Sequence, residues 1–318
     1  MNNYNFKIVM FFIFLNIFLI RAQQELSFNH YMFNSQLFNP AFVGLEKNLS
    51  ISSIHNLQWI GFDGNPITNS ILLSTPLKNN LGAGLEVIND KIGPVNNNFI
   101  AINAAYHLQL NNNNNHKLSL GLKLSGNDHN INLSSADFDD ISDPNARNTN
   151  SYFVENIGFG LHFQTDKLYL GFSIPYFFEN KITNKQRHYY LSGGFKKELS
   201  DKLTINPNFL LKKTANAPSS IDISSIVFYE NLFWFGLNYG ASQRGLFSAN
   251  KSGGNISLLS GIKLNSSFSI GYSIASQLGG WTASVNRPSH EIYLKFNASK
   301  KRSKSISEHS TEVSESNK

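Results

Sequence analysis

Lys117-Leu118-Ser119-Leu120-Gly121-Leu122-Lys123-Leu124-Ser125 is the run from which the fold can be read. Leucine stands at every second position, and Ser, Gly or Lys fills the gaps. Successive side chains of a strand point to opposite faces, so the leucines cover one face and the small or polar residues the other. The pattern recurs along the chain. Ile157, Phe159, Leu161 and Phe163 oppose Gly158, Gly160, His162 and Gln164, and Leu168, Leu170, Phe172 and Ile174 oppose Lys167, Tyr169, Gly171 and Ser173. Phe268, Ile270, Tyr272 and Ile274 oppose Ser267, Ser269, Gly271 and Ser273, and Ile292, Leu294 and Phe296 oppose Glu291, Tyr293 and Lys295. A soluble sandwich also alternates, but with charged residues on its wet face. Here that face is largely Gly, Ser and Asn, which suits a crowded polar lumen behind a wall that faces lipid.

Composition points the same way. Among 318 residues only 15% are charged, whereas 13% are aromatic, with 26 Phe and 12 Tyr. After the N-terminal greasy run, no apolar stretch approaches the ~20 residues of a transmembrane helix. There are no cysteines, so an exported fold must be held by packing or by a closed sheet. The formal charge of +6 is carried largely by the ends: residues 1–22 hold Lys7 and Arg21 and no acid, and residues 299–318 hold five cations against three acids. The body is near neutral, and no basic helix or RNA-reading aromatic motif is present, so no nucleic-acid partner is expected.

The ends read as separate segments. Lys7, the apolar run Ile8–Ile20 and the small Ala22 form a secretion signal over residues 1–22. Residues 23–48 are rich in aromatics and Asn and are expected to pack on or into the barrel as a plug. Residues 49–298 form the barrel. Residues 299–318 are Ser, Lys and Glu with only Ile306 and Val313 as large apolar side chains, an expected disordered periplasmic tail.

Short turns are expected at Lys78–Asn80, Asn111–His116, Thr165–Asp166, Ser200–Asp201, Glu230–Asn231 and Asn265–Ser266. Longer connections fall between them at Gly61–Asn65, Lys91–Asn97, Gly126–Phe153, Phe177–Arg187, Lys213–Ser219, Ala241–Gly253 and Leu278–Ser289. Such alternation is the loop asymmetry of bacterial outer-membrane barrels. The turns divide the chain into about fourteen antiparallel strands, an even number that leaves both termini periplasmic.

The first hairpin lies in Gln58–Pro76. A strand ends on Trp59, the chain turns through Gly61, Asp63, Gly64 and Asn65, and Pro66 opens the next strand. A Trp beside such a turn suits a water–membrane boundary, although the hairpin alone fits a soluble sandwich equally well.

Three motifs in order carry a family resemblance. Tyr31-Met32-Phe33-Asn34 with Asn39-Pro40-Ala41 and Gly44, then Gln58-Trp59-Ile60-Gly61-Phe62-Asp63-Gly64-Asn65-Pro66, then Asn89-Asp90-Lys91-Ile92-Gly93-Pro94 resemble the PorP/SprF family over about Tyr31–Phe296. The resemblance implies an outer-membrane component of the type IX secretion system of Bacteroidota. It also implies a part in secreting or surface-attaching large proteins such as gliding adhesins. The implied partners are the secretion machinery at the periplasmic rim, an adhesin-like client and outer-membrane lipid. Asp90 and Lys91, where a strand enters a connection, read either as turn geometry or as a rim patch shared with a partner.

No catalytic constellation stands out: Gly-x-Ser-x-Gly, His-Glu-x-x-His and glycine-rich phosphate loops are all absent. The nine histidines are scattered singly, with His55, His107 and His162 inside strands as expected lumen or rim residues. No cofactor is expected and no enzyme. Asp137-Phe138-Asp139-Asp140-Ile141-Ser142-Asp143 has ligand types that suit calcium but not the spacing of an EF-hand, and a solvated turn is its simpler reading. A transporter resembling the fatty-acid channels is the alternative function.

Overall fold

In the computed structural model every strand among the described residues joins one antiparallel sheet that closes on itself. The structure describes residues 28–111, 115–133, 149–180, 186–214, 218–242, 254–278 and 287–298. The strands are β1 (Ser50–Leu57), β2 (Ile67–Pro76), β3 (Leu81–Ile92), β4 (Val95–Gln109), β5 (Lys117–Asn132), β6 (Thr149–Gln164), β7 (Leu168–Ile174), β8 (His188–Phe195), β9 (Lys197–Ser200), β10 (Leu203–Thr214), β11 (Ser220–Tyr229), β12 (Phe233–Ser242), β13 (Asn255–Lys263), β14 (Phe268–Gln277) and β15 (Ser289–Asn297). β8 and β9 are two pieces of one stave, since both lie against β10, whose register shifts between Leu203 and Thr204. Pairing of β1 with β15, from Ser50↔Asn297 to Leu57↔His290, closes the ring. The result is a barrel of fourteen staves, as the turn count anticipates. Closure leaves no open sheet edge within the hydrocarbon, where an unpaired backbone group would cost several kcal/mol.

The wall is turned inside out relative to a soluble protein. On β5, Leu124 is 62% exposed while its neighbour Lys123 is 1% exposed. Leu120 and Leu122, Phe159 and Leu161, and Ile292 and Leu294 face outward likewise, as their alternation requires. The inward face is less uniformly polar than its Gly, Ser and Asn content implies. Ile54, Leu72, Ile88, Phe99, Leu210, Ile226, Trp234 and Tyr293 point into the lumen and pack with Phe28, Tyr31, Leu37 and Phe38.

At one end the turns are tight. Asn79 and Asn80 (φ 58° and 61°) and Glu230 and Asn231 (φ 51° and 54°) are pairs of positive-φ residues, the requirement of a type I′ hairpin turn. At the other end two expected connections prove to be strand. Lys91–Asn97 collapses to the two residues Gly93-Pro94, with Ile92 paired to Val95. Most of both arms of Gly126–Phe153 continue the β5–β6 ladder, out to Asn132↔Thr149. The cause is a change of solvent. Past Gly126 the strands leave the lipid band, and with it the apolar alternation, but the backbone ladder persists. Side-chain bonds support it in water: Asn89 Nδ2 donates to Asn96 and Asn98 Oδ1, both at 2.8 Å, and Ser151 Oγ donates to Asp128 Oδ1 at 2.9 Å. β4, β5 and β6 thus reach 15, 16 and 16 residues, against the ~9–11 that cross a bilayer.

The first hairpin is also shorter in strand than expected. β1 ends at Leu57, and Trp59 lies inside the turn at φ 51°. Pro66 precedes β2, although its carbonyl still accepts the Gln58 N–H at 2.9 Å.

Candidate functional site: a lumen segment and two joined turns

Residues 28–44 cross the interior of the barrel as three short 3-10 turns, Tyr31–Phe33, Ser35–Leu37 and Pro40–Phe42. The last is specified locally. Asn39 precedes it in an extended conformation and accepts the Ala41 N–H at 2.9 Å, and Pro40 occupies the first position, where no backbone donor is required.

The segment bonds to strands around the whole wall. Asn29 Nδ2 donates to Ser273 Oγ at 2.9 Å, and Asn29 Oδ1 accepts from Ser257 Oγ at 2.7 Å. Tyr31 hydroxyl meets Ser224 Oγ at 3.0 Å, and burial pushes this phenol up. Gln36 Nε2 donates to the Leu73 and Leu85 carbonyls, Ser173 Oγ to the Phe38 carbonyl, and Asn39 Nδ2 to the Leu161 carbonyl at 2.9 Å. His107 Nε2 donates to the Val43 carbonyl at 3.0 Å while its Nδ1 accepts from Ser119 Oγ, and Gly44 N donates to Ser74 Oγ.

Inward glycines make room for it. A Cβ on Gly121 would stand 2.2 Å from Ala41 N, and one on Gly160 would stand 2.0 Å from Asn39 Oδ1. Gly121 of β5 and Gly160 of β6, which read as small lumen residues, are therefore seats for the Asn39–Ala41 turn.

Two carboxylates are buried in this interior. Glu291 accepts from Asn29 N at 2.9 Å, His30 N at 2.9 Å and His30 Nδ1 at 2.6 Å, with both side chains of the pair sealed from solvent. Glu86 accepts from Lys123 Nζ at 2.8 Å and Asn103 Nδ2 at 2.7 Å, and Lys123 Nζ reaches the Leu37 carbonyl at 3.1 Å. Each charge has several partners, the condition under which burial is tolerated. Glu86, Lys123 and Glu291 were not singled out as site residues. Their sequence signal is a charge at an inward-facing position of a strand.

The three sequence motifs separate into two places. Tyr31, Asn34, Asn39, Pro40 and Gly44 belong to the lumen segment. Gln58, Trp59, Gly61, Asp63, Gly64 and Pro66 form the β1–β2 turn, and Asp90, Lys91, Gly93 and Pro94 the end of β3 and the β3–β4 turn. These two turns touch: Gly93 N donates to Gly64 O at 3.0 Å. Asp90 is buried within β3 and accepts from Thr68 Oγ1 of β2 at 2.6 Å, whereas Lys91 is exposed. Arg287 Nη1 clamps the same turn through the Ile60 and Gly61 carbonyls, leaving Ile60 and Phe62 exposed.

The acidic run Asp137–Asp143 lies outside the described residues. Among the described residues no group of three or more His, Asp and Glu could hold a metal ion. Of the strand histidines, His107 and His162 point into the lumen, and His55 bonds Asn69 Oδ1 through Nδ1.

The solved structures that resemble this barrel include CymD and TbuX. The CymD monoaromatic hydrocarbon channel is 12% identical, with 84% of this chain and 93% of that one covered and a TM-score of 0.51. The Ralstonia pickettii toluene transporter TbuX is 9% identical, with 83% and 93% covered and a TM-score of 0.52. At such identities the likeness establishes the fold alone. No curated protein matches the chain. The profile of the family described as type IX secretion system membrane protein PorP/SprF matches residues 20–296.

Proposed function

The chain belongs to the PorP/SprF family of type IX secretion system membrane proteins, and on that premise we propose that it is a non-enzymatic outer-membrane component supporting secretion or surface attachment of large proteins such as gliding adhesins. It docks secretion machinery at its periplasmic, short-turn rim and does not itself conduct the client. Both termini belong to the periplasmic side in this reading, and the barrel exterior meets outer-membrane lipid.

The observation that carries the reading is the lumen segment. Phe28–Gly44 is bonded to strands on all sides and sealed by buried Glu291–His30 and Glu86–Lys123 pairs, so a polypeptide client would have to break these contacts to pass. An accessory barrel needs no such passage. Deleting the protein tests this: surface display of its adhesin should be lost while other outer-membrane barrels assemble normally. Unchanged display overturns it.

The second reading is a transporter of small hydrophobic solutes, favoured by the pairing of an even-stranded barrel with an N-terminal segment in its lumen. Purified protein in liposomes separates the two. Solute flux supports transport, and co-purification with periplasmic machinery supports secretion.

A further inference from the structure

The lumen keeps a cavity of about 290 Å³ at the short-turn end, beneath the lumen segment. Phe33, Phe42, Phe228 and Tyr169 give it aromatic walls. Asn34 and Asn206 also line it, and Asn34 is held by Ser52 Oγ at 2.6 Å. Aromatic walls around a space of this size suit an aliphatic side chain.

We propose that the occupant is this chain's own C-terminal segment, with Ile306 seated among the aromatic rings. The chain's exit places it there. Lys295 and Ser50 line the cavity, and three residues beyond Lys295 the Ala298 N–H is bonded to the Leu49 carbonyl at 2.8 Å. Twenty residues follow Ala298. Ile306, eight residues on, can reach about 26 Å in extended chain. Ile306 and Val313 are the two large aliphatic side chains of residues 299–318. Serines flank Ile306 on both sides, so its peptide units can approach closely. Glu312 precedes Val313, and burying that charge without a partner would be strongly unfavourable.

The chain has no cysteine, so paired replacements report without background. In the full-length protein, Ser35→Cys lies on the cavity wall and Ser307→Cys beside the anchor. Mild oxidation should join them in most molecules. Adding Ile306→Ser, which touches no barrel residue, should slow the bond about tenfold, and the pair Ser35→Cys with Ser316→Cys should form it as slowly. Equal rates with and without Ile306, or no disulfide between positions 35 and 307 in a folded barrel, would overturn the proposal. Adhesin display does not enter these readouts, so their failure leaves the secretion reading intact.

Discussion

Gly93 gives its backbone N–H to the Gly64 carbonyl at 3.0 Å, tying the tip of the second long-end hairpin to the turn of the first. Both glycines have positive φ, 53° and 73°. At Gly93 a Cβ would meet nothing within 4 Å, whereas at Gly64 it would stand 3.2 Å from Gly93 Cα.

The two positions should therefore respond differently. Gly93→Ala carries only the backbone penalty of a left-handed residue, about 1–2 kcal/mol, and Gly93→Asn less. Gly64→Ala adds a crowded contact that pushes the turns apart and should destabilise more. Urea unfolding of refolded protein should rank them in that order, and equal losses would show that the joined turns are not mechanically coupled.

Lys123 and Glu86 are fully buried together, so removing one partner strands a charge. Lys123→Met should cost about 3–5 kcal/mol, while Glu86→Gln with Lys123→Met should recover most of that loss. A double variant no more stable than Lys123→Met alone would count against an uncompensated charge as the cause.

Glu291 accepts three hydrogen bonds from Asn29 and His30. Glu291→Gln removes the charge and turns one acceptor into a donor. It should loosen the start of the lumen segment while leaving the wall intact. Hydrogen exchange at Asn29 and His30 should quicken at least tenfold, with the β3–β6 amides unchanged. Protection that stays at the parent level refutes the assignment.

Gly121 seats the Asn39–Ala41 turn, and a Cβ there would stand 2.2 Å from Ala41 N. Gly121→Val should unseat the segment at a cost of about 1–3 kcal/mol or more, since overpacking moves the backbone. Limited proteolysis is the readout. Cleavage within residues 28–44 should appear at protease levels that spare the parent protein.

The alternation around Lys117–Ser125 was enough, by itself, to decide a lipid-facing wall, because strand periodicity is local: each residue's face follows from its neighbour's. Stave number and tight turns were legible for the same reason: Asn79-Asn80 tolerates the left-handed backbone its turn needs, while at Glu230-Asn231 only the Asn does. Strand ends at the long-loop side were not. Val95–Asn98 and Asn127–Asn132 have left the lipid, so their ladder continues without the hydrophobic signal that marks it elsewhere.

What only the tertiary structure decided is the lumen. The Asn29–Glu291 bond joins residues 262 positions apart, and the one between Lys123 and Glu86 spans 37. Periodicity says that Glu86, Lys123, Gly121 and Glu291 face inward. Which of them meet, and which glycine receives Ala41, depends on the stagger of staves around a closed ring and on where the segment crosses it. The sequence motifs marked the residues involved, and ring closure sorted them into a lumen segment and two joined turns.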